Sequence, residues 1–295
     1  MGNLYRLTSA SLSENELIFS STEERKRALS DGCFCLQIPH RMDIKPGIEL
    51  AMSFYLPKET DTIPAPKSYC GFKENSKIFF PRKGYQTEHI LIDQHGRETF
   101  FPKEVNIMCE AMHNIARKIL IYILTYVGID QKLWSIVTDD ISDNINSGVK
   151  WFAANHYRCE IDSLGAPEHK DTGFITVLYC EEPGLEVYIN RQWLEVEIIK
   201  NHFIINFGGA LELLTQRLSI PISAVLHRVK KCEKRTSGEE RFSFAEFINP
   251  SANAVLYQVS KCGRQANKII SVEKFLETFN STTWSDDYRD FGILK

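Results

Sequence analysis

The stretch Phe174–Phe207, FITVLYCEEPGLEVYINRQWLEVEIIKNHFIINF, decides the fold. Short runs rich in Val, Ile, Phe and Tyr occupy 174–180, 185–189, 193–199 and 202–207, with turn residues such as Pro183-Gly184 and Asn190 between them. β-branched and aromatic side chains suit a pleated, half-buried surface, and the turn residues interrupt it. No helix intervenes, so the runs pair antiparallel. Working outward, similar runs lie at 150–157 before this stretch and at 222–230, 241–248 and 254–259 after it. Gly209 to Leu218 reads as a short helix within the series, and Val272 to Phe279 as a last one. So many short strands protect their edges by closing into a barrel or jelly roll.

Upstream the texture differs. Residues 1–102 read as irregular, punctuated by Pro57, Pro64, Pro66, Pro81 and Pro102. One short strand is expected at Cys33–Ile38, and a helix from Pro46 to Leu56 with Pro in its first turn. Lys103 to Val127 is the clearest helix, because Val105, Met108, Met112, Ile115, Ile119 and Ile123 form one apolar stripe. A second helix is expected over Gln131 to Ile145. The expected organisation is α+β: a helical and irregular region, 1–148, packed on a jelly-roll core with a C-terminal helix, 149–295, as one compact unit.

Composition narrows the function. The 295 residues are 43% hydrophobic and 25% charged, enough apolar material for a sizeable core. A net charge of −3 from 35 basic and 38 acidic residues argues against a nucleic-acid partner and for a small molecule. The longest apolar run, Ile119 to Val127, is far short of the roughly 20 residues of a spanning helix, so no membrane partner is expected. The start, MGNLYRLTSASL, lacks an apolar signal core, and Arg6 stands where a myristoylation signal needs Ser or Thr. Eight cysteines without a CxxC pair read as reduced thiols, and the expected location is cytoplasmic. The sequence assigns no oligomeric state.

Within the β-rich part stand His169-Lys170-Asp171 and, on a later run, His227. Residues i and i+2 at a strand end point to one side and can grip one ion together. Two imidazoles and one carboxylate leave half of an octahedral metal open, the set that suits non-haem Fe(II) in oxygen chemistry. The pair alone is weak, since about 0.4 of a His-x-Asp is expected by accident among eight histidines at ordinary composition. The surroundings strengthen it. Arg241-Phe242-Ser243 sets a guanidinium fork and a hydroxyl on one strand face, suited to a carboxylate. Asn155 and Tyr157 share a face as hydrogen-bonding groups for the same cavity, while His156 points away.

At this point Asn155 to Pro250 resembles the isopenicillin-N-synthase-like branch of the iron(II)/2-oxoglutarate-dependent oxygenases. The matching text includes Asn155-His156-Tyr157, His169-Lys170-Asp171-Thr172-Gly173-Phe174, Gly184-Leu185, Trp193, Asn206-Phe207-Gly208-Gly209-Ala210-Leu211-Glu212, His227-Arg228-Val229, Arg241-Phe242-Ser243 and Pro250. Looser matches are Asp31-Gly32-Cys33-Phe34 and Tyr69-Cys70-Gly71-Phe72. The resemblance implies a distorted double-stranded β-helix with flanking helices. It assigns His169, Asp171 and His227 to iron, and Arg241, Ser243, Tyr157 and Asn155 to 2-oxoglutarate, with O₂ as second cosubstrate. Glu186, Thr215-Gln216-Arg217, His156 and Arg158 depart from the branch's usual text, so no familiar substrate transfers.

The implied activity is C–H oxidation (hydroxylation, desaturation or oxidative cyclisation) of a small, carboxylate-bearing specialised metabolite. Asp171 occupies the position that related iron halogenases leave to halide, which argues against halogenation. Two alternatives stand beside it: an Fe(II) oxidase of the same fold that does not use 2-oxoglutarate, and a non-catalytic barrel binding module. Arg158, Phe152 and Phe244 are the expected substrate contacts, although a surface arginine and core aromatics are the commoner roles for such residues.

Overall fold

The computed structural model describes residues 4–13, 16–58, 66–233 and 240–283; Met1-Gly2-Asn3 and Pro64 lie outside the described residues. The first half carries β1 (Leu4–Tyr5), β2 (Ser9–Leu12), β3 (Leu17–Phe19), α1 (Thr22–Asp31), β4 (Cys33–Gln37), α2 (Lys45–Ala51), β5 (Phe79–Pro81), β6 (Thr87–Ile92), α3 (Gln94–Phe100), α4 (Lys103–Tyr126) and α5 (Trp134–Val137). The second half carries β7 (Val149–Tyr157), β8 (Ala166–His169), β9 (Ile175–Tyr179), β10 (Leu185–Ile189), β11 (Gln192–Val196) and β12 (His202–Phe207). It continues with α6 (Gly209–Thr215), β13 (His227–Val229), β14 (Phe242–Asn249), β15 (Val255–Val259), β16 (Ala266–Ser271) and α7 (Val272–Thr283).

Two sheets face each other, as expected of a jelly roll. The larger runs β3-β2-β4-β12-β9-β14-β7-β6-β5, and the smaller β1-β11-β10-β13-β8. Their pairings are antiparallel except β1 with β11 and β2 with β4. The larger sheet has a strict division of faces. In β7, Trp151, Ala153, Asn155 and Tyr157 line an interior cavity, while Phe152 and Ala154 enter the apolar core on the other side. Helix α4 closes that core: its stripe of Val105, Met108, Met112, Ile115, Ile119 and Ile123 is buried. Each such side chain contributes about 1.5–3 kcal/mol of burial. Gly128 at φ 78 ends the helix in a left-handed turn.

Several expectations need correction. The stretch 1–102 is not irregular: β2, β3, β4, β5 and β6 belong to the larger sheet. Its strands are short, and Thr87–Ile92 is nearly all buried, so no polar–apolar alternation marks it. The helix over 131–145 shrinks to a 3₁₀ turn at Gln131–Leu133 and α5, because Asp139 and Asp140 at φ 54 and 61 leave helical space. The helix after Pro46 stops at Ala51, and the 222–230 run pairs only over His227–Val229. Strands β8 and β16 carry no pattern that predicts them.

The glycine pair of Asn206-Phe207-Gly208-Gly209 has a steric cause. The loop 171–173 rests on the start of α6, where Gly209 and Ala210 donate backbone N–H groups to the carbonyls of Asp171 and Thr172 at 2.7 and 3.1 Å. A Cβ at Gly208 would collide with the Gly173 carbonyl oxygen. Gly208→Ala is therefore expected to lower stability by about 1–3 kcal/mol, read as a fall in the urea midpoint. An unchanged midpoint would contradict this close approach.

Candidate metal centre and adjoining cavity

The smaller sheet builds most of the centre. Strands β8 and β13 pair antiparallel with His169 directly opposite His227, and the rings lie 4.3 Å apart. Each ring is set by its own backbone: His169 Nδ1 lies 2.9 Å from the Pro167 carbonyl, and His227 Nδ1 3.2 Å from that of Val225. An Nδ1–H donated to these carbonyls leaves the metal-binding lone pair on Nε2. Both Nε2 atoms turn to one carboxylate oxygen, Asp171 Oδ1, at 3.9 and 3.8 Å. The three ligand atoms all lie within 4.8 Å of one another. Bonds of about 2.1 Å, as for zinc, set two ligand atoms of one ion at most about 4.2 Å apart, so both His–Asp spacings fit a shared ion.

The larger sheet supplies the support. Asn206 Nδ2 on β12 donates to Asp171 Oδ2 at 3.3 Å, which leaves Oδ1 for the ion. Burial, followed by the neighbouring His227 ring, pushes His169 down to about 4 against the opposing pull of Asp171. Its imidazole is thus neutral near pH 7, the form that binds metal. The donor set of two imidazoles and one carboxylate fits Fe(II).

The same cavity, about 210 Å³, has a second polar end. Ser243 on β14 pairs in register with Asn155 on β7, and Asn155 Nδ2 donates to Ser243 Oγ at 3.1 Å. The Tyr157 hydroxyl is 3.4 Å from the same oxygen. Arg241, 4% exposed, lies with its guanidinium carbon 4.3 Å from the Tyr157 ring centroid and donates from Nε to the Pro183 carbonyl at 3.1 Å. Its buried Nη1 has no hydrogen-bond partner among the described residues. A buried, underused guanidinium beside two hydroxyls and an amide is a cradle for a carboxylate.

The structure thus brings His169, Asp171 and His227 together at one point and Arg241, Ser243, Tyr157 and Asn155 together at another. The three substrate contacts do not line this cavity. Phe152 and Phe244 are 0% exposed in the core behind the sheet. Period-two alternation from Asn155 and from Ser243 already puts them on the far face. Arg158 instead donates to the backbone carbonyls of Arg82, Tyr85, Gln86 and Thr87 at 3.0–3.3 Å, clamping the β5–β6 hairpin. His156 does point away, between Glu88 and Glu240 and stacked on Tyr55 at 3.6 Å. Lys170 turns to Glu212 at 2.8 Å.

Sequence reasoning missed the cavity-facing side of β6 (Thr87, His89 and Leu91), the buried Arg82 before it, and the apolar face of α7, where Phe275, Leu276 and Phe279 close the cavity. Trp151 also faces inward, and its even spacing from Asn155 is the signal that finds it.

Comparison with known proteins agrees with this arrangement. Residues 149–250 match the 2OG-Fe(II) oxygenase superfamily. The Arabidopsis thaliana protein DMR6-LIKE OXYGENASE 2 is 30% identical over 151 residues, 50% of this chain and 41% of the relative. A 1-aminocyclopropane-1-carboxylate oxidase of Diospyros kaki is 35% identical over 116 residues, 38% of this chain and 34% of the relative. The matched segments thus span less than half of these relatives' own length. The crystal structure of JOX2 in complex with 2OG, Fe and JA superposes with a TM-score of 0.69 over 96% of this chain and 90% of that one. At 16% identity that likeness is one of fold. Residues 149–250 thus match the 2OG-Fe(II) oxygenase superfamily in sequence, and the chain shares its jelly-roll fold with the solved structure.

Proposed function

We propose that this chain is a non-haem Fe(II)/2-oxoglutarate-dependent dioxygenase that oxidises a C–H bond of a small, carboxylate-bearing specialised metabolite. The two stretches 1–148 and 149–295 act as one unit, in a reducing compartment such as the cytosol. One observation carries the reading: three metal-ligand atoms converge in a cavity whose other polar end is a buried arginine whose Nη1 has no partner among the described residues. The name of the Diospyros kaki relative, a 1-aminocyclopropane-1-carboxylate oxidase, supports a carboxylate in the substrate. The eight cysteines form no disulfide with one another, which supports the compartment.

When bound, Fe(II) supplies the redox chemistry that couples O₂ and the conversion of 2-oxoglutarate to succinate and CO₂ to C–H oxidation. The chain's own residues do the rest. His169 and His227 offer their Nε2 atoms, and Asp171 offers one oxygen while Asn206 holds the other. Arg241 and Ser243 hold the distal carboxylate of 2-oxoglutarate, with Tyr157 and Asn155 fixing the Ser243 hydroxyl. Leu178, Leu185 and Val229 give the cavity between these ends apolar walls that exclude water and strengthen each charged contact.

The direct test is anaerobic reconstitution with Fe(II), then O₂ with and without 2-oxoglutarate while succinate is followed. Succinate formation that depends on both Fe(II) and O₂ supports the proposal. Substrate oxidation that proceeds equally without 2-oxoglutarate would assign the oxidase alternative, and absence of Fe(II) uptake the binding module.

Alanine at His169, Asp171 or His227 is expected to abolish tight Fe(II) binding in anaerobic equilibrium dialysis while circular dichroism stays native. Asn206→Ala should weaken binding about 10- to 100-fold, the usual effect of removing a ligand's support. Arg241→Ala should raise the 2-oxoglutarate concentration for half-maximal succinate formation by about 10- to 100-fold, from the loss of about 1.5–3 kcal/mol of charge-assisted bonding. A variant with unchanged 2-oxoglutarate dependence contradicts the role given to Arg241.

A further inference from the structure

The far face of the larger sheet carries a chain of polar groups directly behind Arg241 and Tyr157. Register sets Glu88 of β6, His156 of β7 and Phe242 of β14 in one row. His156, 4% exposed, lies between two carboxylates: Nδ1 is 3.0 Å from Glu88 Oε1, and Nε2 is 2.5 Å from Glu240 Oε2. Its ring stacks on Tyr55, from the turn after α2, with centroids 3.6 Å apart. The Tyr55 hydroxyl donates to the same Glu240 oxygen at 3.1 Å. Burial raises the Glu88 carboxyl, but the bond to His156 and the charges of Lys73 and Arg158 outweigh it and hold the group below its ordinary range. Glu88 is thus an ionised anchor for His156 near pH 7.

His156 and Glu240 each precede a residue of the carboxylate cradle. Alternation sends this pair to the far face and the next pair, Tyr157 and Arg241, to the cavity. The two pairs share one stretch of backbone. Tyr157 N–H donates to the Arg241 carbonyl at 3.1 Å, and the Arg241 guanidinium carbon lies 4.3 Å from the Tyr157 ring centroid. At this end β14 is thinly held by its neighbours: among the described residues β7 pairs with it from Phe242 onward, and β9 only from Phe244 onward. The bonds from Tyr55 and His156 to Glu240 add the restraint that the ladder lacks there. A displacement of Glu240 would carry the next residue with it, and a guanidinium at the end of a long side chain amplifies any change in backbone direction.

We propose that the clamp of Glu88, His156 and Glu240, closed by Tyr55, positions Arg241 for the distal carboxylate of 2-oxoglutarate. His156 is a positioning residue: it acts from the far face, through the backbone of Glu240–Arg241 and of Tyr157. The clamp therefore sets the preference for a cosubstrate with a second carboxylate. The two histidine ligands stand on the other sheet, so metal affinity does not depend on it. The inference rests on the dioxygenase reading and on the role given there to Arg241.

The test is anaerobic calorimetry on Mn(II)-loaded protein with 2-oxoglutarate and with 2-oxopentanoate, which carries a methyl group in place of the distal carboxylate. Wild-type protein is expected to bind 2-oxoglutarate at least about tenfold more tightly, as one charge-assisted bond implies. His156→Leu should cut that preference by about three- to tenfold, within the range for coupled neighbours, while the Mn(II) and 2-oxopentanoate affinities stay unchanged. Glu240→Ala should act in the same direction. Glu240→Gln, which keeps an oxygen for Tyr55 and His156, should retain most of the preference. In an Arg241→Ala background, His156→Leu should lower the remaining preference no further, and a further fall there counts against the inference. A His156→Leu or Glu240→Ala protein with the wild-type preference overturns it, as does one that loses affinity for both 2-oxo acids alike, the mark of a merely structural role. If His156→Leu does not fold, the Glu240 variants decide, since that side chain is 44% exposed. Absence of Mn(II)-dependent 2-oxoglutarate binding in the wild-type protein would instead overturn the dioxygenase reading, and equal binding of the two acids the role of Arg241; the inference falls with either.

Discussion

The antiparallel pairing of β8 with β13 is the constraint on which the site depends. It sets His169 and His227 opposite each other by backbone geometry, and the carbonyls of Pro167 and Val225 settle which nitrogen each ring presents. The third ligand is held from the other sheet, through Asn206 and through the backbone bond from Gly209 to the Asp171 carbonyl. The centre therefore exists only when the two sheets close on each other, so folding and metal-site assembly are one event. Such a site is organised before any ion arrives, and little ordering entropy remains to be lost on binding.

The two sheets divide the remaining labour. The smaller sheet carries both histidines, while the larger carries Arg241, Ser243, Asn155 and Tyr157 on adjoining strands. Alternation along β6, β7 and β14 sends polar groups into the cavity and Ile90, Phe152 and Phe244 into the core under α4. That core fixes the strand positions, and the strand positions fix the spacing between the charges. The N-terminal region is part of this device, since β6 contributes His89 and the β5–β6 hairpin contributes Arg82.

What the sequence disclosed was whatever depends on short spacings. His-x-Asp and Arg-x-Ser are i, i+2 pairs, and the α4 stripe repeats at three and four, so each was legible before any coordinates. The same rule, applied once more, removes Phe152 and Phe244 from the cavity and admits Trp151. Long-range pairings left no such trace. The buried Arg97–Glu246 ion pair joins residues 149 apart at 2.6 Å, and nothing local announces it. Strand β6 was hidden because a strand buried on both faces shows no alternation, and β5 because it is three residues long. Arg158 looked like a substrate ligand because its charge was visible and its carbonyl partners across the hairpin were not.

The central claim is that one ion is shared by these three side chains. An anomalous difference map at the iron edge, from a crystal soaked anaerobically with Fe(II), tests it most directly. The account predicts a single strong peak about 2.0–2.2 Å, the span seen for zinc, from His169 Nε2, His227 Nε2 and an oxygen of Asp171. A peak elsewhere, or none within bonding distance of all three, would contradict it.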